Sequence, residues 1–204
     1  VLLGRIFSQG NGFRLDKTGM RLSQLSLGCA KAAPAEAVPE NAEPRLRLDM
    51  CKDIAGAVKD SAPDYCAVDF YAAAALACWK LGGEVGENPC FFSNYRGFRG
   101  AEWFKSERDS FTKINPPFGE NIWKPLVKRY AEKLLSAVPG GRIILFRHQL
   151  NSKGAKGSEL RNVPVKSNVN RFMRAMEDYF ISIVHPMTVD LAGGYLMADL
   201  DGVD

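Results

Sequence analysis

Two adjacent prolines end a run of strand-forming residues at Phe111-Thr112-Lys113-Ile114-Asn115-Pro116-Pro117-Phe118-Gly119, and no other stretch restricts the fold so sharply. Neither proline has an N–H to donate to a sheet ladder, so the strand must stop there. A helical pattern resumes near Asn121. In an open α/β sheet such a corner falls at the strand ends, the edge where these folds bind ligands. Asn115 offers a side-chain carbonyl there, and Pro116 a main-chain carbonyl beside it. Two acceptors at that spacing can grip an exocyclic amine, and Phe118 can stack on the flat base that carries it. The amine of adenine is a weak nucleophile because its lone pair is delocalised into the ring. Acceptors that tilt it out of conjugation and aim it would supply catalysis by orientation and electrostatics, with no strong base.

The rest of the chain alternates strand and helix patterns. Residues 50–58 predict a short helix leading into the domain, and residues 65–70 a first, parallel strand. The alanine-rich stretch 72–81 predicts a helix stopped by Gly82-Gly83. Residues 89–93 predict a second strand. Ile122, Leu126, Tyr130 and Leu134 share a helical face within 121–138, and Arg142-Ile143-Ile144-Leu145-Phe146 reads as a buried strand. Residues 151–168 predict a polar loop, 169–179 a helix, 180–184 a strand, and 195–200 a last strand after Gly193-Gly194. Together these predict an α/β fold, a Rossmann-like sandwich with an antiparallel edge strand.

Residues 1–49 read differently. The stretch from Ala32 to Pro44 is rich in Ala, Pro and Glu and lacks an apolar period, which predicts an extended linker. We therefore divide the chain into an N-terminal arm, residues 1–49, and a domain, residues 50–204. Residues 1–7 and 22–27 are apolar enough to lie against this domain or another protein subunit, and such arms more often dock than catalyse. The chain begins at Val1, as a processed or incomplete product would.

The net charge of +4 is compatible with an RNA or DNA partner. Arg96 and Arg99, interleaved with aromatics between Tyr95 and Phe104, and Lys124, Lys128 and Arg147 are the candidate nucleic-acid contacts. The five scattered cysteines contain no CxxC pair, which argues against a zinc site and a disulfide framework and for an intracellular, reducing compartment. Nucleus, cytoplasm and organelle stay open. No metal site and no membrane span are expected, since no apolar run is long enough to cross a bilayer. His148 lies just past a strand end but has no metal or catalytic partner at ligand spacing, and His185 before Pro186 reads as structural.

The order Val68-Asp69-Phe70-Tyr71-Ala72, Cys90-Phe91-Phe92-Ser93, Asn115-Pro116-Pro117-Phe118 and Ile143-Ile144-Leu145-Phe146 resembles one family. It is similar to the methyltransferase core of the cap-specific mRNA adenosine N6-methyltransferases of the phosphorylated-CTD-interacting-factor type. More distantly it looks like phage-type adenine-N6 DNA methyltransferases. The likeness runs from about residue 50 to the C-terminus and is most specific at the NPPF motif. It implies S-adenosylmethionine as cofactor and methyl transfer to adenine N6 in RNA or DNA. Asn115, Pro116, Pro117 and Phe118 would be the catalytic set, and Asp69, Tyr71 and Asn115 would line the cofactor. The chain departs from the family after the first strand, where a Ser and an Asn are replaced by Ala73 and Leu76. It also has Arg147-His148-Gln149 where the family has a Pro and a Trp. These departures carry a second expectation: a catalytically inactive methyltransferase-like domain that serves as a structural or RNA-binding subunit of a larger complex, organellar ones included.

Overall fold

A computed structural model describes residues 22–30, 32–82, 89–147, 149–150 and 163–190. In chain order the elements are α1 (Gln24–Leu27), α2 (Pro44–Cys51), α3 (Ile54–Ser61), β1 (Cys66–Val68), α4 (Tyr71–Ala75), β2 (Cys78–Leu81), β3 (Cys90–Ser93), α5 (Arg96–Gly100), α6 (Glu102–Ser106), β4 (Phe111–Ile114), α7 (Glu120–Leu135), β5 (Ile143–Arg147), α8 (Val163–Val184) and β6 (Met187–Asp190). The fold is mixed α/β. One sheet is parallel, in the order β1-β5-β6, and the other antiparallel, in the order β3-β2-β4.

Four expectations change. The stretch 72–81 is not one helix: α4 ends at Ala75, Leu76 is extended, and Cys78 begins β2. Five helical residues are too few for a crossover that would return β2 parallel to β1, which takes a dozen or more. The strand therefore starts a second, antiparallel sheet, and both β3 and the motif strand β4 join it. Residues 180–184 are not a strand but the last turn of α8, which also takes in 163–168 of the expected loop. The last turn carries a continuous apolar face, and His185 in the left-handed region followed by Pro186 ends the helix. Residues 50–58 are split into two helices by Lys52, also in the left-handed region at φ 60°. The expected final strand 195–200 and residues 1–21 lie outside the described residues.

The fourth change concerns the arm. Leu22, Leu25, Leu27 and Cys29 are buried in the main core with Phe70, Leu126, Leu134, Leu145 and Phe180. Leu46 and Met50 are buried in a second core with Phe92, Phe98, Phe104 and Phe111. Among the described residues, the part of the chain before residue 49 packs into both cores. The antiparallel sheet lies between the two cores, and its side chains alternate between them. Cys78 and Phe91 point to the first, and Trp79, Cys90 and Phe92 to the second. A sheet covered on both faces explains the unbroken apolar run Cys90-Phe91-Phe92.

Strand β3 is the edge of that sheet, and its outer backbone groups are buried. Side chains, not another strand, satisfy them. The Phe91 N–H donates to Cys29 Sγ at 3.2 Å. The Ser93 N–H donates to Asp49 Oδ2 at 2.8 Å. The Phe91 carbonyl accepts from Lys52 Nζ at 2.6 Å and from Ser26 Oγ at 2.9 Å. Lys52 also pairs with Asp49 Oδ1 at 3.3 Å and lies 4.1 Å from the centre of the Phe92 ring. Segment 23–52 is thus required inside the fold, because a buried sheet edge without partners would cost several hydrogen bonds. Lys133 binds the same segment from α7. Its ammonium donates to the carbonyls of Leu27, Cys29 and Lys52 at 2.8–3.0 Å, and burial pulls its pKa below the usual lysine value. Helical periodicity places Lys133 outside the apolar face of α7, and there it caps three carbonyls.

Candidate functional site

The parallel sheet presents Asp69 just after β1, and Arg147 at the end of β5. Asp69 is half-buried, and its Oδ1 accepts the Tyr71 N–H at 2.9 Å, closing the turn that starts α4. Burial, then the Asp69 charge, raises the Tyr71 pKa. The motif corner is held by the other sheet. β4 pairs with β2 up to Cys78↔Ile114, so Asn115 follows directly after the last rung. From Tyr71 the chain reaches Cys78 through α4 and two further residues. The two halves of the expected site thus flank the short α4, within roughly 15 Å along the chain path.

At the corner, Asn115 and Pro117 are exposed and Pro116 and Phe118 half-buried. The Pro116–Pro117 peptide is cis. The Phe118 ring turns inward. It stacks on Phe91, with centroids 5.7 Å apart and planes 27° apart, and meets Phe172 edge-on at 6.3 Å. Between the halves of the site, Ala72, Ala73 and Ala74 are buried and Leu76 is half-buried. No side chain from Ala72 to Ala77 carries a hydrogen-bonding group that could face a cofactor's ribose or amino acid end. Asp69 gives one carboxylate oxygen to its own turn, so the side chains from Asp69 to Ala77 offer a cofactor little beyond its other oxygen and the Tyr71 hydroxyl. One cavity of about 1020 Å³ opens beside Trp103 and another of about 230 Å³ beside Arg142, and neither is lined by Asp69, Tyr71 or Asn115.

Three of the five candidate nucleic-acid contacts are taken up by carboxylates. Arg147 Nε lies 3.3 Å from Glu177 Oε2, its Nη2 2.5 Å from Asp178, and Asp190 is 4.0 Å away. Lys124 pairs with Glu120 at 2.5 Å, and Lys128 with Glu132 at 3.8 Å. Both are i,i+4 pairs on the solvent side of α7. Arg96 and Arg99 on α5 are exposed and make no ion pair among the described residues. The aromatics near them do not form a stacking platform: Phe98 and Phe104 are buried in the second core, and Trp103 packs edge-on to Phe92 and Phe111.

Two polar clusters escaped the sequence reading. One is the edge cap of Ser26, Asp49, Lys52 and Ser93, whose only signal was an Asp and a Lys three apart beside an apolar stretch. The other surrounds Glu177, fully buried on α8. Its Oε2 accepts from Arg147 and Arg174, its Oε1 has no partner among the described residues, and burial pushes its pKa up to about 7 against the pull of both arginines. Nothing in a lone glutamate of an amphipathic helix predicts that. Among the described residues no group of His, Cys, Asp and Glu is arranged to hold a metal, and no helix is long and apolar enough to cross a membrane. Cys29, Cys78 and Cys90 are buried and Cys51 is exposed, and none of them forms a disulfide among the described residues. Compared with known proteins, the chain matches no family model, no curated protein and no solved structure.

Proposed function

We propose that this chain is a methyltransferase-like α/β domain that works by binding, as a non-catalytic subunit of a larger assembly. The orientation of Phe118 carries this reading. A half-buried ring stacked on Phe91 and set edge-on to Phe172 commits one of its faces to the core and leaves less of it for a nucleobase. The apolar stretch 72–76 and the engaged Asp69 point the same way. So does the strand order: the motif strand sits in an antiparallel sheet and not between β1 and β5, which pair directly. In this reading the NPPF corner is inherited architecture, and its prolines now set the entry into α7.

The second reading, methyl transfer from S-adenosylmethionine to adenine N6 of RNA or DNA, is favoured by one observation. Asn115 stands exposed beyond the end of the ladder, where its carbonyl could accept from a base amine. Isothermal calorimetry with S-adenosylmethionine, and transfer of labelled methyl to adenosine-containing RNA and DNA, separate the two. The binding-subunit reading expects neither heat of binding nor label. Turnover by wild type that is abolished in Asn115→Ala would overturn it and establish the enzyme.

A further inference from the structure

The larger of these cavities lies at the other end of the antiparallel sheet from the motif. β2 starts at Cys78, beside the corner, and ends at Leu81, whose side chain lines the groove. About 10 Å of strand separates them. Pro34 and Pro39, from the segment expected to be a bare linker, line it together with Trp103 on α6. At about 1020 Å³ and open to solvent, the groove is at the upper limit for a small-molecule cleft and suits a stretch of polypeptide.

Its rim is acidic. Glu36, Glu102 and Glu107 line it against a single cation, Lys105. That cation is neutralised within the rim, its Nζ 2.5 Å from Glu102 Oε1. Glu36 and Glu107 are exposed and make no ion pair among the described residues. Glu107 only accepts a 3.4 Å hydrogen bond from Ser110. Two carboxylates without an ion pair among the described residues line the groove beside its apolar proline, leucine and tryptophan side chains. A phosphate backbone would be repelled by this rim, and an acidic segment likewise. A lysine or arginine side chain is attracted by the rim charges, can lay its aliphatic stem on the floor and can set its cationic head at the face of an indole.

We propose that this groove docks an extended, basic segment of a partner protein, with Lys or Arg spaced between aliphatic residues. This deepens the assembly-subunit reading and rests on it for the existence of a partner. It does not depend on the cofactor result, because the groove is remote from the motif corner. The test is selection of a random nine-residue display library on the full chain, followed by fluorescence anisotropy of the recovered peptides. The same measurements are made on Glu36→Lys/Glu107→Lys, a variant of two exposed residues that make no ion pair among the described residues. A single-stranded uridine 20-mer and an acidic peptide serve as competing probes. The expected result is a recovered pool enriched in Lys and Arg, with affinity falling at least about tenfold in the doubly reversed variant at unchanged melting temperature. The proposal is overturned if nothing is enriched over the bare support, if the pool is neutral or acidic, or if affinity survives the reversal. RNA binding that the reversal abolishes would likewise overturn it.

Discussion

Asp49→Ala is the substitution that best tests how this fold is held together. Asp49 is fully buried and the side chain of Lys52 is 2% exposed, so the change strands an ammonium in the core. It also removes the acceptor of the Ser93 N–H on the edge of β3. Breaking a buried pair from one side costs about 3–5 kcal/mol. The ammonium keeps Ser26 Oγ and the Phe91 carbonyl, both at 2.6 Å, which pulls the cost toward the lower figure. The orphaned N–H adds about 1–3 kcal/mol. We expect a loss of about 4 kcal/mol at pH 7, a large part of the ~5–15 kcal/mol that holds a domain. Removing both charges in Asp49→Leu/Lys52→Met leaves the N–H as the main deficit, so the double variant should be more stable than the single by about 2 kcal/mol. Urea unfolding followed by tryptophan fluorescence reads both; with a slope near ~2 kcal/mol/M the single change moves the midpoint by about 2 M. A single variant within about 1 kcal/mol of wild type, or a double variant worse than the single, would refute the edge-cap account.

Three more outcomes are expected from the geometry. Phe118→Ala should cost about 2 kcal/mol in the same denaturation assay, roughly half the loss for a fully buried Phe, whereas Asn115→Ala should stay within about 0.5 kcal/mol; a neutral Phe118→Ala would return the ring to the role of a base platform. Glu177 holds its proton more tightly folded, near pH 7, than unfolded, near 4.5, so in that window the native state binds more protons and stability falls as pH rises. Melting temperatures from pH 5 to 8 should show this fall in wild type and a flatter profile in Glu177→Gln. A Cβ on Gly28 would lie 2.0 Å from the Leu126 carbonyl oxygen, a backbone atom that cannot swing aside. Gly28→Ala should therefore separate α1 from α7 and lower the melting temperature by several degrees, and an unchanged value would show that this approach is not close.

Where one element decided its own conformation, the sequence was readable. Arg142-Ile143-Ile144-Leu145-Phe146 announces a buried strand, and β5 is the middle strand of the parallel sheet. The face formed by Leu126, Tyr130 and Leu134 announces α7, and all three are buried. Where distant segments decided, it was not. Cys78 to Leu81 extends an alanine-rich helical run without punctuation, and only pairing with β3 and β4 makes it a strand. The linker-like composition before Pro44 hides two jobs, covering the aromatic core and lining a groove. Segment 22–29 reads as an arm because its purpose, closing the edge of β3, is visible only from the other side of the contact.

The NPPF motif divides along the same line. Its prolines act locally: they end β4 and fix the backbone before α7, and four residues suffice to encode that. The use of the corner is not local. Whether Phe118 faces a base or the core depends on Phe91, 27 positions earlier, and Phe172, 54 positions later. Whether a cofactor finds polar groups depends on the residues after β1, where this chain places alanines. On the reading proposed above, the motif serves as a corner without the surroundings that a catalytic clamp needs. Changes at the motif alone are then not expected to create activity. Placing polar groups by Ala73→Ser and Leu76→Asn should precede any gain in S-adenosylmethionine binding, whereas changes confined to residues 115–118 should give none.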